Sequence, residues 1–151
     1  MSSLEIRMVD VNEKAITTRE ATAKGRLVMQ PATLSLLKQA KLPKGDALTA
    51  AKVAGIMAAK ETHRLIPLCH PLIIDNVSVD FTLDEKTSAV EVTASAKGNG
   101  KTGFEMEALT AVAISLLTVY DMCKTVDQSL RLENIRLTKK SGGKSGTVGL
   151  E

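Results

Sequence analysis

The chain has 151 residues, 44% of them apolar and 25% charged, with a formal net charge of +3; this is the composition of one globular domain and excludes wholesale disorder and fibrous repeats. Only Phe81, Phe104 and Tyr120 are aromatic, too few for a base-stacking platform, and the charge excess is too small for a nucleic-acid face. Cys69 and Cys123 form no CxxC pair, so no disulfide framework or zinc ribbon is readable, a zinc site on Cys69, His70 and Cys123 is disfavoured by the lack of ligand spacing, and a reducing compartment is expected.

The opening Met-Ser-Ser-Leu-Glu-Ile-Arg lacks the basic-then-apolar order of a signal peptide. The longest run without a charge or His, Ala108 to Tyr120, is thirteen residues, short of the ~20 that span a bilayer. A cytoplasmic protein with no membrane partner is expected. Residues 1–18 show no period and read as a flexible or ligand-ordered arm of a single domain covering 1–151. Glu20 to Met29 reads as a strand, although Ala21, Ala23 and Gly25 are poor strand formers. Pro31 opens a short helix to Ala40, a loop follows over 41–45, and Asp46 caps a second helix predicted to run to Arg64.

Prolines 67 and 71 bracket a loop carrying Leu68, Cys69 and His70. Alternation in Val77-Ser-Val-Asp-Phe-Thr-Leu83 and Val90-Glu-Val-Thr predicts a hairpin of strands 73–83 and 89–97. A long helix from Glu105 to Val126 and a last strand, 130–138, precede a glycine-rich tail over 141–151. The order is that of a split βαβ, ferredoxin-like α+β domain, an antiparallel sheet with helices on one face.

The long helix is apolar on two sides. Leu109, Ala113, Leu116, Tyr120 and Cys123 form one stripe, and the other carries Ala108, Ala111, Ile114, Ser115 and Thr118 without a charge. Either another helix or another subunit must cover the second side, and a subunit fits a sheet with helices on one face. Its carboxylates lie near the ends. Glu105 and Glu107 suit the dipole, with Glu105 on the half-buried side, whereas Asp121 sits where the dipole disfavours it, beside Lys124. Glu107 and Asp121 are fourteen residues apart, about 21 Å along a helix, so one small substrate can meet both only if a second subunit completes the site.

Gly100-Lys101-Thr102 and Gly143-Lys144-Ser145 look like P-loop ends, but Ser95 and Thr138 stand where the earlier glycine is required. What remains is a glycine, a lysine and exposed amides, which suit an anion, against the plainer reading of solvated flexible loops. Arg136, Lys139, Lys140 and Lys144 add a local cationic tail. His63, near a helix end, reads as a surface residue; His70, stiffened by proline, could serve as a positioned acid, base or binding group. A non-catalytic nucleotide-binding module using the two glycine–lysine loops is therefore open, and a ferredoxin-like RNA-binding domain is disfavoured by the missing aromatics.

Taken together, Met8-Val-Asp-Val11, Thr18-Arg-Glu-Ala21, Lys44-Gly-Asp46, Pro67-Leu-Cys-His-Pro-Leu72, Gly100-Lys-Thr-Gly103, Glu105-Met-Glu-Ala-Leu-Thr110, Tyr120-Asp-Met-Cys-Lys124 and Lys140-Ser-Gly-Gly-Lys-Ser-Gly146 resemble the MoaC family of molybdenum cofactor biosynthesis. Phe104 departs from the smaller aliphatic residue expected before Glu-Met-Glu. The resemblance implies a lyase that rearranges a cyclised dihydroguanosine triphosphate, made from GTP, into cyclic pyranopterin monophosphate and releases pyrophosphate, with no redox change and no cofactor. It implies a hexamer, a trimer of dimers, with sites between subunits. It also implies that Asp121 is the general acid/base with Lys124 its partner, and that Leu68, Cys69, His70, Met106, Glu107, Lys44, Glu105, Arg19, Lys140 and Lys144 contact the substrate.

Overall fold

The structure, a computed structural model, describes residues 4–151; the first three residues of the expected arm lie outside them. Strand β1 (Thr17–Val28) begins within that arm. It buries Ala21, Ala23, Gly25 and Leu27 and leaves the alternate residues facing the other side. The small residues lie where a helix crosses the sheet, so packing overrides their weak strand propensity.

After β1 the chain forms helices α1 (Pro31–Lys38), α2 (Ala47–Lys60) and α3 (Thr62–Leu65), then strands β2 (Asn76–Asp84) and β3 (Ala89–Gly100). Helix α4 (Glu105–Cys123) leads to β4 (Arg131–Ser141) and a short β5 (Val148–Gly149). The five strands lie in the order β2-β3-β1-β4-β5, and every pairing is antiparallel. Each of the two crossovers, β1 to β2 and β3 to β4, therefore skips over a strand belonging to the other, which is the split βαβ connection expected.

Asp46 caps α2 by accepting the Thr49 N–H at 3.3 Å, and Pro31 stands at the start of α1, as their sequence signals predict. The second predicted helix is not continuous to Arg64. It ends at Lys60, where Glu61 leaves helical geometry, and buried Thr62 donates its hydroxyl to Ala58 O and Ala59 O. The strand predicted from Ile73 starts only at Asn76. Helix α4 stops at Cys123 rather than Val126, because Asp127 is taken up by the start of α1. Its Oδ2 accepts the Gln30 N–H and the Thr33 hydroxyl, both at 2.8 Å, while Oδ1 accepts the Ser129 N–H and hydroxyl. Burial works against this carboxylate, yet the four hydrogen bonds overcome it and hold its pKa at about 2.

The second apolar side of α4 is covered by α2, not by another subunit. Ala51, Gly55, Ala58 and Ala59 of α2 are buried, as are Ala108, Ala111 and Ser115 of α4. Such small residues bring two helix axes close, and Ser115 Oγ donates to Ala51 O at 3.1 Å across the contact. The opposite side of α4 lies on β1, β3 and β4. Val112, Leu116, Val119 and Cys123 are buried, whereas Leu109, Ala113 and Tyr120 of the expected stripe are only half-buried. By length and composition α4 is long and apolar enough to cross a bilayer; its two packed sides account for that composition. Phe104 is fully buried, its ring lying against Gly98 and Gly100 of β3, so the larger side chain occupies the core rather than the surface.

Candidate active site

Two adjoining clefts open at the N-terminal end of α4. The larger, with a volume of about 720 Å³, is lined by Arg19, Lys140 and Lys144 among others. The smaller, about 440 Å³, is lined by Leu68, Cys69, His70 and Met106. Glu105 lines both. Eight of the residues singled out in the sequence thus converge on one continuous groove. The strands and loops that bring them there are β1, the 66–75 loop, the first turn of α4 and the end of β4.

Arg19, on β1, is fixed by donating Nε to Gly100 O at 3.0 Å and Nη2 to Lys101 O at 3.4 Å. The tail loop folds directly over its guanidinium. Gly142 and Gly143 have φ of +98° and +72°, and a Cβ on Gly143 would lie 2.5 Å from Arg19 Nη1; both the dihedral and the contact require glycine. Lys140 Nζ lies 3.8 Å from Glu105 Oε1, and Lys144 stands exposed on the loop beyond. The larger cleft thus gathers four cations, Lys14, Arg19, Lys140 and Lys144, against three carboxylates, Glu13, Glu20 and Glu105, and this small cationic excess, with a glycine loop at the rim, suits an anion.

Glu107 lines neither cleft and is only 3% exposed, not the dipole-facing surface residue that its place in the first turn suggests, though it lies near enough for its charge to act on the Cys69 thiol. Its Oε2 has no hydrogen-bond partner. Burial, with the neighbouring charge of Glu105 adding, pushes its pKa up to about 7. Cys69 is held as the neutral thiol: burial first, then the charges of Glu107 and Glu105, raise its pKa. Among the described residues no three His, Cys, Asp or Glu side chains gather as a metal site. Cys123 is buried in the core.

The remaining three candidates meet elsewhere. Asp121, at the C-terminal end of α4, is held between two ammonium groups: Lys44 Nζ at 2.8 Å from Oδ2 and Lys124 Nζ at 2.8 Å from Oδ1. These hydrogen bonds lower its pKa to about 2, and the same bond raises that of Lys124. Lys44 arrives from the loop before α2, a partner that helix spacing alone does not reveal. The cluster is half-exposed and about 21 Å along α4 from Glu107, so one chain does not unite the two halves. The groove also includes Arg7, Glu13, Lys14 and Thr102. The sequence carried no periodic signal for the first three, because they belong to the irregular arm.

Glu107 makes a testable prediction. A carboxyl whose folded pKa is raised is stabilising while protonated, below its ordinary value of 4.5, and that contribution is lost as pH rises through about 7. Between about pH 5 and about pH 9 the loss approaches about 3 kcal/mol. Urea unfolding at fixed protein concentration should show it in the wild type and not in Glu107→Gln. Parallel pH dependence in the two proteins would contradict the assignment.

Residues 8–143 match the sequence model of the family described as MoaC. The chain is 59% identical over 140 residues to the cyclic pyranopterin monophosphate synthase of Chloroflexus aurantiacus, covering 93% of this chain and 86% of that protein. It is 59% identical over 140 residues to the protein of the same name from Parvibaculum lavamentivorans, covering 93% and 88% of the two chains. With that of Roseiflexus castenholzii it shares 54% identity over 145 residues, 96% of this chain and 92% of the relative.

Proposed function

The chain belongs to the MoaC family, enzymes of molybdenum cofactor biosynthesis, and from that premise we propose that it converts a cyclised dihydroguanosine triphosphate into cyclic pyranopterin monophosphate and pyrophosphate. It is an enzyme of the lyase class. The observation that carries the specific reaction is the basin on Arg19, Lys140 and Lys144 beside a second, more apolar cleft on Leu68, Cys69, His70 and Met106. A substrate that joins a polyphosphate to a ring system needs two such compartments in contact.

In this proposal the basin's cations bind the triphosphate and stabilise the charge that develops as the bond to pyrophosphate breaks. The α-phosphate stays behind as the cyclic ester. Ring opening and reclosure need protons moved in both directions, which suits groups poised on opposite sides of neutrality. Glu107, with its pKa near 7 and its charge felt by Cys69 of the ring cleft, can act in either direction. Lys124, with its raised pKa, is the acid of the second cluster, and Asp121, ionised at neutral pH, orients it together with Lys44. A phosphate competing for either lysine would restore proton affinity to Asp121, so the carboxylate becomes a base only once substrate is bound.

The two halves lie at opposite ends of α4, so a second copy supplies Lys44, Asp121 and Lys124 to the groove of the first. We therefore propose a cytoplasmic homo-oligomer, a hexamer built as a trimer of dimers. Two measurements test this. The wild type should form the cyclic pyranopterin and release one pyrophosphate per turnover, and light scattering should return the mass of an oligomer. A monomer with full activity would refute the shared site; binding without pyrophosphate release would leave a nucleotide-binding module.

A further inference from the structure

Resting on the reaction proposed above, we propose that Gly45 is a positioning residue: its positive φ sets the turn that carries Lys44, and so fixes the Lys44 ammonium on the Asp121 carboxylate before substrate arrives. Gly45 has φ of +103°, beyond the roughly +50° to +70° of the left-handed region that side chains can reach. A Cβ added to it would meet nothing within 4 Å. Space does not require glycine at this position, in contrast to Gly143, where dihedral and contact both do. The backbone dihedral alone requires it.

Residues 41–45 join α1 to α2 and are pinned on both sides of Lys44. Lys41 N–H donates to Leu36 O at 2.8 Å. Ala40 before it is turned to φ of +55°, which is costly for a residue with a Cβ and persists only where the surroundings impose it. Leu42 is buried in the core, and its carbonyl accepts the Gly45 N–H at 2.9 Å. That bond closes a turn over 42–45 with Pro43 at its second position, where the fixed φ of proline suits it. Lys44 takes the third position and reaches Asp121 Oδ2 at 2.8 Å. Asp46 follows at once in extended geometry, with φ of −76° and ψ of 99°, and caps α2. Gly45 therefore joins a closed turn to a capped helix. If its φ became negative one neighbour would have to move, and Pro43 and Lys44, both exposed, are the part free to do so.

Asp121 is met from two elements. Lys124 comes from the same helix at i,i+3 and does not depend on the loop; Lys44 is the contact whose placement the loop decides. A displacement of about 1 Å at such a group can slow a reaction by roughly 100-fold, whereas a half-exposed ion pair adds little to folding. Rate and stability thus separate positioning from a general structural role.

In the full chain Gly45→Ala is expected to lower kcat for pyrophosphate release by about 10- to 100-fold, with a melting temperature within about 5 °C of wild type. Gly45→Asn should lose less, because Asn enters positive φ more readily than Ala although it is larger; it also carries the test if Gly45→Ala does not fold. In a Lys44→Met background, where the ammonium is absent, Gly45→Ala should lower kcat by less than about 2-fold further. Carbon-13 titration of the Asp121 carboxyl reads the placement without turnover. Its apparent pKa should rise in Gly45→Ala toward that in Lys44→Met, as the Lys44 hydrogen bond that lowers it is lost. Equal losses with and without Lys44 would overturn the proposal, since Gly45 would then act through another group. So would an unshifted Asp121 titration, or wild-type kcat, in Gly45→Ala. If the wild type released no pyrophosphate the reaction itself would fall, while the Asp121 titration would still decide the placement.

Discussion

Asp121→Asn and Lys124→Ala are each expected to lower kcat for pyrophosphate release by about a hundred- to ten-thousand-fold, the range for loss of a positioned acid or base, while melting temperature stays close to wild type. The cluster is half-exposed, and surface ion pairs of this kind contribute little to stability. Chemistry is another matter. Asp121 is the shared acceptor for Lys44 and Lys124, so its neutralisation leaves two ammonium groups facing each other and lets the pKa of Lys124 fall back. The pH profile separates the roles further. With Asp121 held near 2, its own protonation cannot produce an acid limb above about pH 3 in the free enzyme. An inflection of kcat/KM near pH 7 should belong to Glu107 and vanish in Glu107→Gln. Full activity in Asp121→Asn would reduce the cluster to a surface ion pair.

Gly55→Ala is the substitution with the largest expected effect on folding. In an exposed helix the change would stabilise by roughly 1 kcal/mol. Here the added methyl would lie 2.1 Å from Ser115 Oγ and 3.0 Å from the backbone oxygen of Ala111. Ser115 is fully buried and bonded to Ala51 O, and the Ala111 carbonyl belongs to α4 itself, so neither can yield without moving a helix. Overpacking should win, with a net loss of about 1–3 kcal/mol in chemical denaturation. Ser115→Ala should relieve part of it, and a double-mutant cycle would read the coupling. Stability equal to or above wild type in Gly55→Ala would mean that the α2–α4 contact is slack. Activity should suffer as well, since α4 carries candidate groups at both ends.

The elements whose signals are local were legible in the sequence. The alternation around Val79 and Val92, the Asp46 cap and the Pro31 start all reported their own conformation, and the order of elements led to the split crossover topology. Positions decided by distant packing were not. The break at Glu61 depends on Thr62 being buried, and the early end of α4 depends on Asp127 bonding Gln30 and Thr33, both far away in sequence. The cover on α4 was misassigned to a subunit because apolarity shows that a face is hidden, not what hides it. The same division holds at the groove. Loop motifs carried Lys44, Leu68, Cys69, His70 and Lys144, while the pairing of Lys44 with Asp121 and the presence of Lys14 in the groove became visible only once the chain was folded. Glu107 was noticed as a charge in the first turn, yet its burial, the source of its altered acidity, belongs to tertiary structure.

Strand β5 gives the loop ahead of it a second anchor. Val148 and Gly149 pair with Lys140 and Lys139, Leu150 N–H donates to Thr138 O at 2.9 Å, and Arg136 bonds Glu151 at 2.7 Å. Lys144 consequently rides on a closed ring of backbone instead of a free strand end. A tethered ammonium searches a small volume, so its effective concentration at the basin stays high and the ordering cost on binding an anion is already partly met during folding. Cutting the ring open downstream of Lys144 would remove no side chain from the groove and would still slow the capture of phosphate.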